Sequence, residues 1–185
     1  MSVRALFREL AAYNCWANAR VYEAALALPD TLYRRDVGVF FRSLHGTLNH
    51  LLLTDRLWLT RLTGEGEQPK RLDLILHDNV VDLAVARAQE DQRIIDVVGA
   101  YDDAVLAEPY RYLTTSGAPQ EQVLSDILLH LFNHQTHHRG QAHSCLSIVT
   151  GTEPQMLDLL AFQRGLAAPE LAALASSARS ARQHA

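Results

Sequence analysis

The sequence predicts an all-α fold: a four-helix bundle with a short hairpin or extended loop before its last long helix. Three observations predict it. Four long stretches carry apolar residues at helical spacing, each ends at proline, glycine or a capping residue, and 185 residues (20.6 kDa) suit one domain with a full core. The bundle is expected over residues 1–166, followed by an Ala-, Ser- and Arg-rich tail over 167–185 that is either a peripheral helix or frayed. No internal repeat is visible.

Residues 2–28 place Leu6, Leu10, Tyr13, Ala17, Val21, Ala24 and Leu28 on one helical face, and Pro29-Asp30 stops that helix. Residues 31–42 read as a connector that tucks Phe40 and Phe41 inward. Ser43 caps a second helix, Leu44 to Leu62, which Gly64 and Gly66 end. Asp55 falls inside the apolar stripe of that helix, between Leu48, Leu51, Leu59 and Leu62, so its carboxylate must find a partner. Gly46, Thr47 and Thr54 share a flank with His50, where small residues let another backbone come close.

After a polar loop over 64–78, a third helix is expected from Asn79 to Ala107, weakened at Gly99 and broken by Pro109. Tyr110 to Thr115, then Ser116-Gly117 and a short return, suggest the hairpin. The fourth helix is expected to begin within 119–125 and to reach Val149, closed by Thr150-Gly151. Its inward stripe reads Ile127, Leu131, His134, His138, Ala142, Cys145 and Val149, and residues 155–165 make a short final helix.

Composition narrows the function classes. A net charge of −4 and a pI near 6.1 accumulate no basic face, which argues against a nucleic-acid partner. No stretch approaches the run of about 18 apolar residues that a membrane span needs. Charged and polar residues from Arg8 to Glu23 interrupt the first helix too often for a signal peptide, and the two cysteines, Cys15 and Cys145, make no disulfide framework. A cytoplasmic protein is the expectation.

The chemistry concentrates in Asn133-His134-Gln135-Thr136-His137-His138-Arg139-Gly140-Gln141. His134 and His138 are four apart, so both imidazoles project from one helical face, a bite suited to zinc, nickel, iron or copper. On its own such a pair is more often one satisfied core histidine beside one surface histidine. A third histidine on another helix raises the metal reading, and His50 is best placed. His130 competes with His138 for a place in the pair, whereas His45, His137 and His143 are each expected at the surface or as supports behind the ligands. Cys145 lies about 10 Å of helix rise from His138, too far to share one ion.

Asp55, Asn133 and Gln141 are candidates for fixing the imidazole tautomers. His137 and Arg139 are candidates for facing a substrate, with Arg139 expected above all to pair with Asp55. Gln135 stands where the zinc-protease pattern H-E-x-x-H has its glutamate base, and an amide cannot take that proton.

Tyr13-Asn14-Cys15-Trp16-Ala17-Asn18, Ser43-Leu44-His45-Gly46-Thr47-Leu48-Asn49-His50-Leu51-Leu52, Asp55-Arg56-Leu57-Trp58-Leu59 and the Asn133–Gln141 motif closely resemble the DinB (damage-inducible) family. This is the metal-binding four-helix family, not the DNA polymerase of the same name. The resemblance runs in order over about residues 3–165. It implies an up-down-down-up bundle, a homodimer, and a divalent metal held by His50, His134 and His138. It further implies kinship with transferases and isomerases in which the metal activates a low-molecular-weight thiol. The expected function is therefore a metal-dependent enzyme of the thiol-dependent transferase type, with zinc, nickel or iron, a thiol cosubstrate and a small-molecule substrate. A metal-dependent hydrolase and a non-catalytic, stress-related metal-binding protein are the alternatives.

Overall fold

The computed structural model describes residues 1–69 and 71–166, so the tail expected over 167–185 lies outside the described residues. Four long helices form the bundle: α1 (Val3–Leu26), α3 (Leu44–Thr63), α4 (Val80–Ala100) and α6 (Leu124–Thr150). Their ends follow local chemistry. Ser2, Ser43 and Asn79 each accept a backbone N–H of the following turn, and Gly64 and Gly151 close α3 and α6 in the left-handed conformation. The third helix is shorter than its periodicity suggests. Tyr101 is extended, and Asp102 caps a separate short helix, α5 (Asp103–Leu106).

A second short helix, α2 (Asp30–Tyr33), sits in the connector after α1. The hairpin is present as β1 (Pro109–Leu113) and antiparallel β2 (Pro119–Val123), so α6 begins only after β2, at Leu124. The last short helix starts later than expected, as α7 (Leu159–Ala161) running into a wider turn over Phe162–Leu166.

Side-chain contacts fix the topology. Arg8 meets the Gly99 carbonyl and Asn18 meets Asp91, so α1 and α4 run antiparallel. Phe7 packs on Phe132 and Asn14 meets Arg139, so α1 and α6 run parallel. Asp55 meets Gln135 while Trp58 meets His130, so α3 and α6 run antiparallel. The bundle is up-down-down-up, with α1 and α3 on opposite corners.

Two apolar clusters occupy its two ends. One gathers Val21, Tyr22, Leu44, Leu48, Leu52, Leu83 and Cys145, and the other Phe7, Leu59, Ile94, Val98, Leu128 and Phe132. Between them lies a fully buried polar layer to which every long helix contributes. Asp55 (α3) pairs with Arg87 (α4) at 2.6 Å and accepts from Gln135 (α6). Arg87 also pairs with Asp91 at 3.0 Å, which accepts from Asn14 and Asn18 of α1. Those two asparagines present their oxygens to Arg139 of α6 at 2.5 and 3.2 Å.

The expected Asp55–Arg139 pair is thus corrected: Arg87 is the partner of Asp55, and Arg139 is held by neutral amides. Replacing Arg87 with Met leaves Asp55 buried without its cation. Urea unfolding of R87M should show a loss of about 3–5 kcal/mol, the cost of breaking a buried pair from one side.

Candidate metal centre

The structure brings His50, His134 and His138 together at the seam of α3 and α6, with one ring nitrogen of each lying within 4.8 Å of the others. His50 is buried, and the two α6 histidines are half-buried. The expected inward stripe of α6 holds at Ile127, Leu131, Ala142, Cys145 and Val149 and departs by one residue only at its two histidines. Gln135 and Arg139 point to the bundle axis, and His134 and His138 stand beside them at the seam. The reason is the polar layer, which offers Gln135 and Arg139 partners at the centre of the core.

Each imidazole is oriented by a distinct contact. His50 donates from Nδ1 to the Leu72 carbonyl at 2.7 Å; a carbonyl only accepts, so the Nε2 lone pair faces the cluster. Leu72 belongs to the loop after α3, which Asn49 ties down by accepting from the backbone of Leu76 and His77 and donating to the His77 carbonyl. His138 donates from Nδ1 to Gln141 Oε1 at 2.8 Å, one helical turn on. His134 Nδ1 is buried with no partner, and its Nε2 stands 3.3 Å from His50 Nε2.

These positions fit a metal ion. Two nitrogens at zinc–nitrogen bond lengths on a tetrahedral ion are about 3.3–3.4 Å apart, which matches the 3.3 Å between His50 and His134, with all three nitrogens within 4.8 Å of one another.

Burial keeps the imidazoles neutral. It pushes His50 down to about 4, with the nearby His138 adding to the effect and the Leu72 hydrogen bond opposing it. It pushes His134 down to about 3, helped by the positive charge that His138 and His50 would carry. His138 is lowered by burial as well.

Phe41 builds the wall of the centre. Its ring stacks on His50 with centroids 3.9 Å apart and meets His138 edge-on at 5.5 Å. Two backbone features put it there. Arg42 adopts a left-handed φ of 70°, a strain on the order of 1–3 kcal/mol for a non-glycine residue. Gly46 lets the connector lie directly on α3, since a Cβ there would collide with the Phe41 carbonyl oxygen. The small flank read from the sequence has this close backbone approach as its use. Phe40, expected inside, is instead 83% exposed, because the tight turn joining Val39 to Arg42 allows only one of the two rings to face inward.

The remaining candidates fall in different places. Gln141 holds His138 and also donates toward His137, which is exposed and packs against the His138 ring at 4.7 Å. Asn133 is exposed, and Asp55 and Arg139 belong to the polar layer rather than to the imidazoles. His45 is buried beneath Tyr33 of α2, not at the surface, because α2 covers that side of α3. Sequence reasoning missed Phe41, Asn49 and the Leu72 carbonyl. The polar Asn49 beside His50, directly before the apolar run Leu51-Leu52-Leu53, was the available signal.

A model of the DinB family matches residues 1–170. The chain belongs to the DinB family. Protein DinB of Bacillus subtilis (strain 168) is 25% identical over 150 residues, which cover 72% of this chain and 80% of that protein. The crystal structure of a DinB-like protein from Bacillus cereus shares the fold, with a TM-score of 0.57 at 20% identity over 76% of this chain and 91% of that one. In this DinB-family chain the motif residues serve two separate ends. Asn14, Asn18 and Asp55 build the polar layer, and His50, His134 and His138 form the cluster.

Two outcomes follow from this geometry. G46A should lose about 1–3 kcal/mol through overpacking. In NMR spectra it should also lose the upfield ring-current shift that Phe41 imposes on the His50 ring protons. The second outcome concerns pH. An unfolded histidine takes up its proton near pH 6.5, whereas folded His134 resists until far lower, so the unfolded chain binds more protons in between. Stability from neutral His134 is fully present above about 6.5 and lost as pH falls toward about 3. Thermal melts of chelator-treated protein should show wild type losing stability relative to H134N over that window, with a constant difference above it.

Proposed function

We propose that this chain binds a divalent metal through His50, His134 and His138 and is a metal-dependent enzyme of the thiol-dependent transferase type, acting on a small molecule. The observation that carries the reading is the three-imidazole cluster itself: among the described residues it contains three histidines and no carboxylate. Three neutral imidazoles suit zinc, nickel or iron and leave coordination positions for a small ligand. An ion held there supplies Lewis acidity, lowering the pKa of a low-molecular-weight thiol so that a thiolate is available to an electrophile.

The residues of the chain do the rest. The Leu72 carbonyl and Gln141 hold the protons of His50 and His138 on Nδ1 and turn both Nε2 lone pairs inward. Burial keeps all three rings unprotonated near neutrality, the state in which imidazole is a ligand. Phe41 removes water from one side of His50 and His138. A hydrolase would need a base beside the metal. Gln135 occupies that place in the motif and turns inward to Asp55, so the thiol reading ranks above the hydrolytic one.

Protein produced without a histidine tag should carry about one divalent ion per chain by elemental analysis, and H50A, H134A and H138A should each carry almost none. The metal-loaded protein should then turn over at least one pair from a panel of thiols and electrophiles. Metal retention with no turnover above the H138A control would leave the non-catalytic, metal-binding reading in its place. Absence of metal in wild type would overturn both.

A further inference from the structure

A row of rings leads away from the three histidines along the α3–α6 seam. His134 lies 5.9 Å from His130, His130 lies 5.3 Å from Trp58, and the guanidinium of Arg61 covers Trp58 at 4.6 Å. The register explains the row. On α6, His138, His134 and His130 recur every four residues, and on α3, Arg61 comes three residues after Trp58, so its side chain folds back over that ring.

Arg61 is unlike the arginines around it. Arg56, Arg87 and Arg93 each face a carboxylate, at 3.4, 2.6 and 3.2 Å. Arg61 has none among the described residues. Its one side-chain hydrogen bond there is a long one, 3.3 Å from Nη2 to the exposed Thr115 hydroxyl, and its Nε is out of solvent with no acceptor. Tyr112 of β1 flanks the guanidinium at 5.2 Å, and Tyr110 anchors the backbone of that turn by donating to the Arg61 carbonyl at 2.8 Å. The charge is therefore held in place and partly desolvated without a counter-ion, which is the condition for gripping an oxyanion.

We propose that Arg61, seated on Trp58 and Tyr112, is a subsite for the carboxylate of an extended small molecule whose other end reaches the three histidines. Trp58 is eight residues from His50 on α3, about 12 Å of helix rise, and this sets the length of the ligand. The flat rings of His130 and Trp58 between the two ends favour an apolar or planar middle. The subsite deepens the functional reading above and rests on it for the identity of the far end.

The test titrates ω-mercaptoalkanoic acids of increasing length, and the matching ω-mercaptoalcohols, into the zinc-loaded full chain by calorimetry. The acid whose carboxylate stands about 12 Å from its sulfur should bind about tenfold tighter than its alcohol. Shorter acids should show no such preference, and added salt should shrink it. R61Q should abolish the preference without weakening the alcohol, and R61K should keep part of it. Equal affinity of acid and alcohol in wild type, or a preference that survives in R61Q, overturns the proposal. If R61Q does not fold, the length and salt dependence in wild type decide the matter alone. If zinc does not bind, the functional reading fails separately. The corresponding thiol-free acids on metal-free chain, followed by tryptophan emission against R61K, still test Arg61: an identical response in the two proteins sinks the subsite.

Discussion

The buried polar layer is the constraint on which the rest of this bundle depends. Two arginines, two aspartates, two asparagines and a glutamine from four helices meet at the centre of the molecule with almost no solvent contact. Arg87 and Arg139 are matched in formal charge by Asp55 and Asp91, and the amides of Asn14 and Asn18 bridge Asp91 to Arg139. Apolar helix faces can slide against one another with small changes in energy, whereas a hydrogen-bonded ion pair is satisfied in one register only. A layer of this kind contributes little net stability over an apolar core of the same shape, because desolvation offsets the Coulombic gain. We assign it the setting of register between helices.

That register reaches the histidines directly. Gln135 follows His134 and Arg139 follows His138, so each interior anchor of α6 is one residue from a seam imidazole. Asp55 accepts from Gln135 and lies five residues from His50, which fixes α3 against α6 at the level where the three rings converge. The loop after α3 adds a second constraint from outside. Asn49 holds its backbone, and through that backbone the Leu72 carbonyl orients His50.

Much of this is legible in the sequence, for identifiable reasons. Helix ends at Ser43, Gly64 and Gly151 follow from chemistry within a few residues, so they can be read directly. His134 and His138 share a face by spacing alone, and His50 has only to lie on an antiparallel neighbour. What escapes depends on partners from elsewhere in the chain. The departure of the α6 stripe at its two histidines is the clearest case: Gln135 takes an interior place, and Arg139 finds Asn14 and Asn18 rather than the expected Asp55, because those partners come from other helices. His45 reads as a surface residue because the four-residue helix over it, Asp30–Tyr33, leaves too little periodicity to detect. The break at Tyr101 is hidden by apolar spacing that continues across it into Leu106.

On the proposed metal-binding reading, the division of α6 into an interior line and a seam line resolves a conflict inherent in a centre open to small molecules. Ligating side chains must be held within a fraction of an ångström, yet a site that admits substrate cannot be closed in by packing on every side. Burying the histidines themselves at the axis would orient them and seal them together. Here the orientation is delegated. Rotating α6 enough to move His134 or His138 off the cluster would pull Gln135 and Arg139 from partners that have no water to replace them, at a cost of roughly 1–3 kcal/mol for each buried polar group left unpaired. The imidazoles are thereby held by neighbours that face away from them, and the seam stays half-open along the row that leads to Trp58 and Arg61.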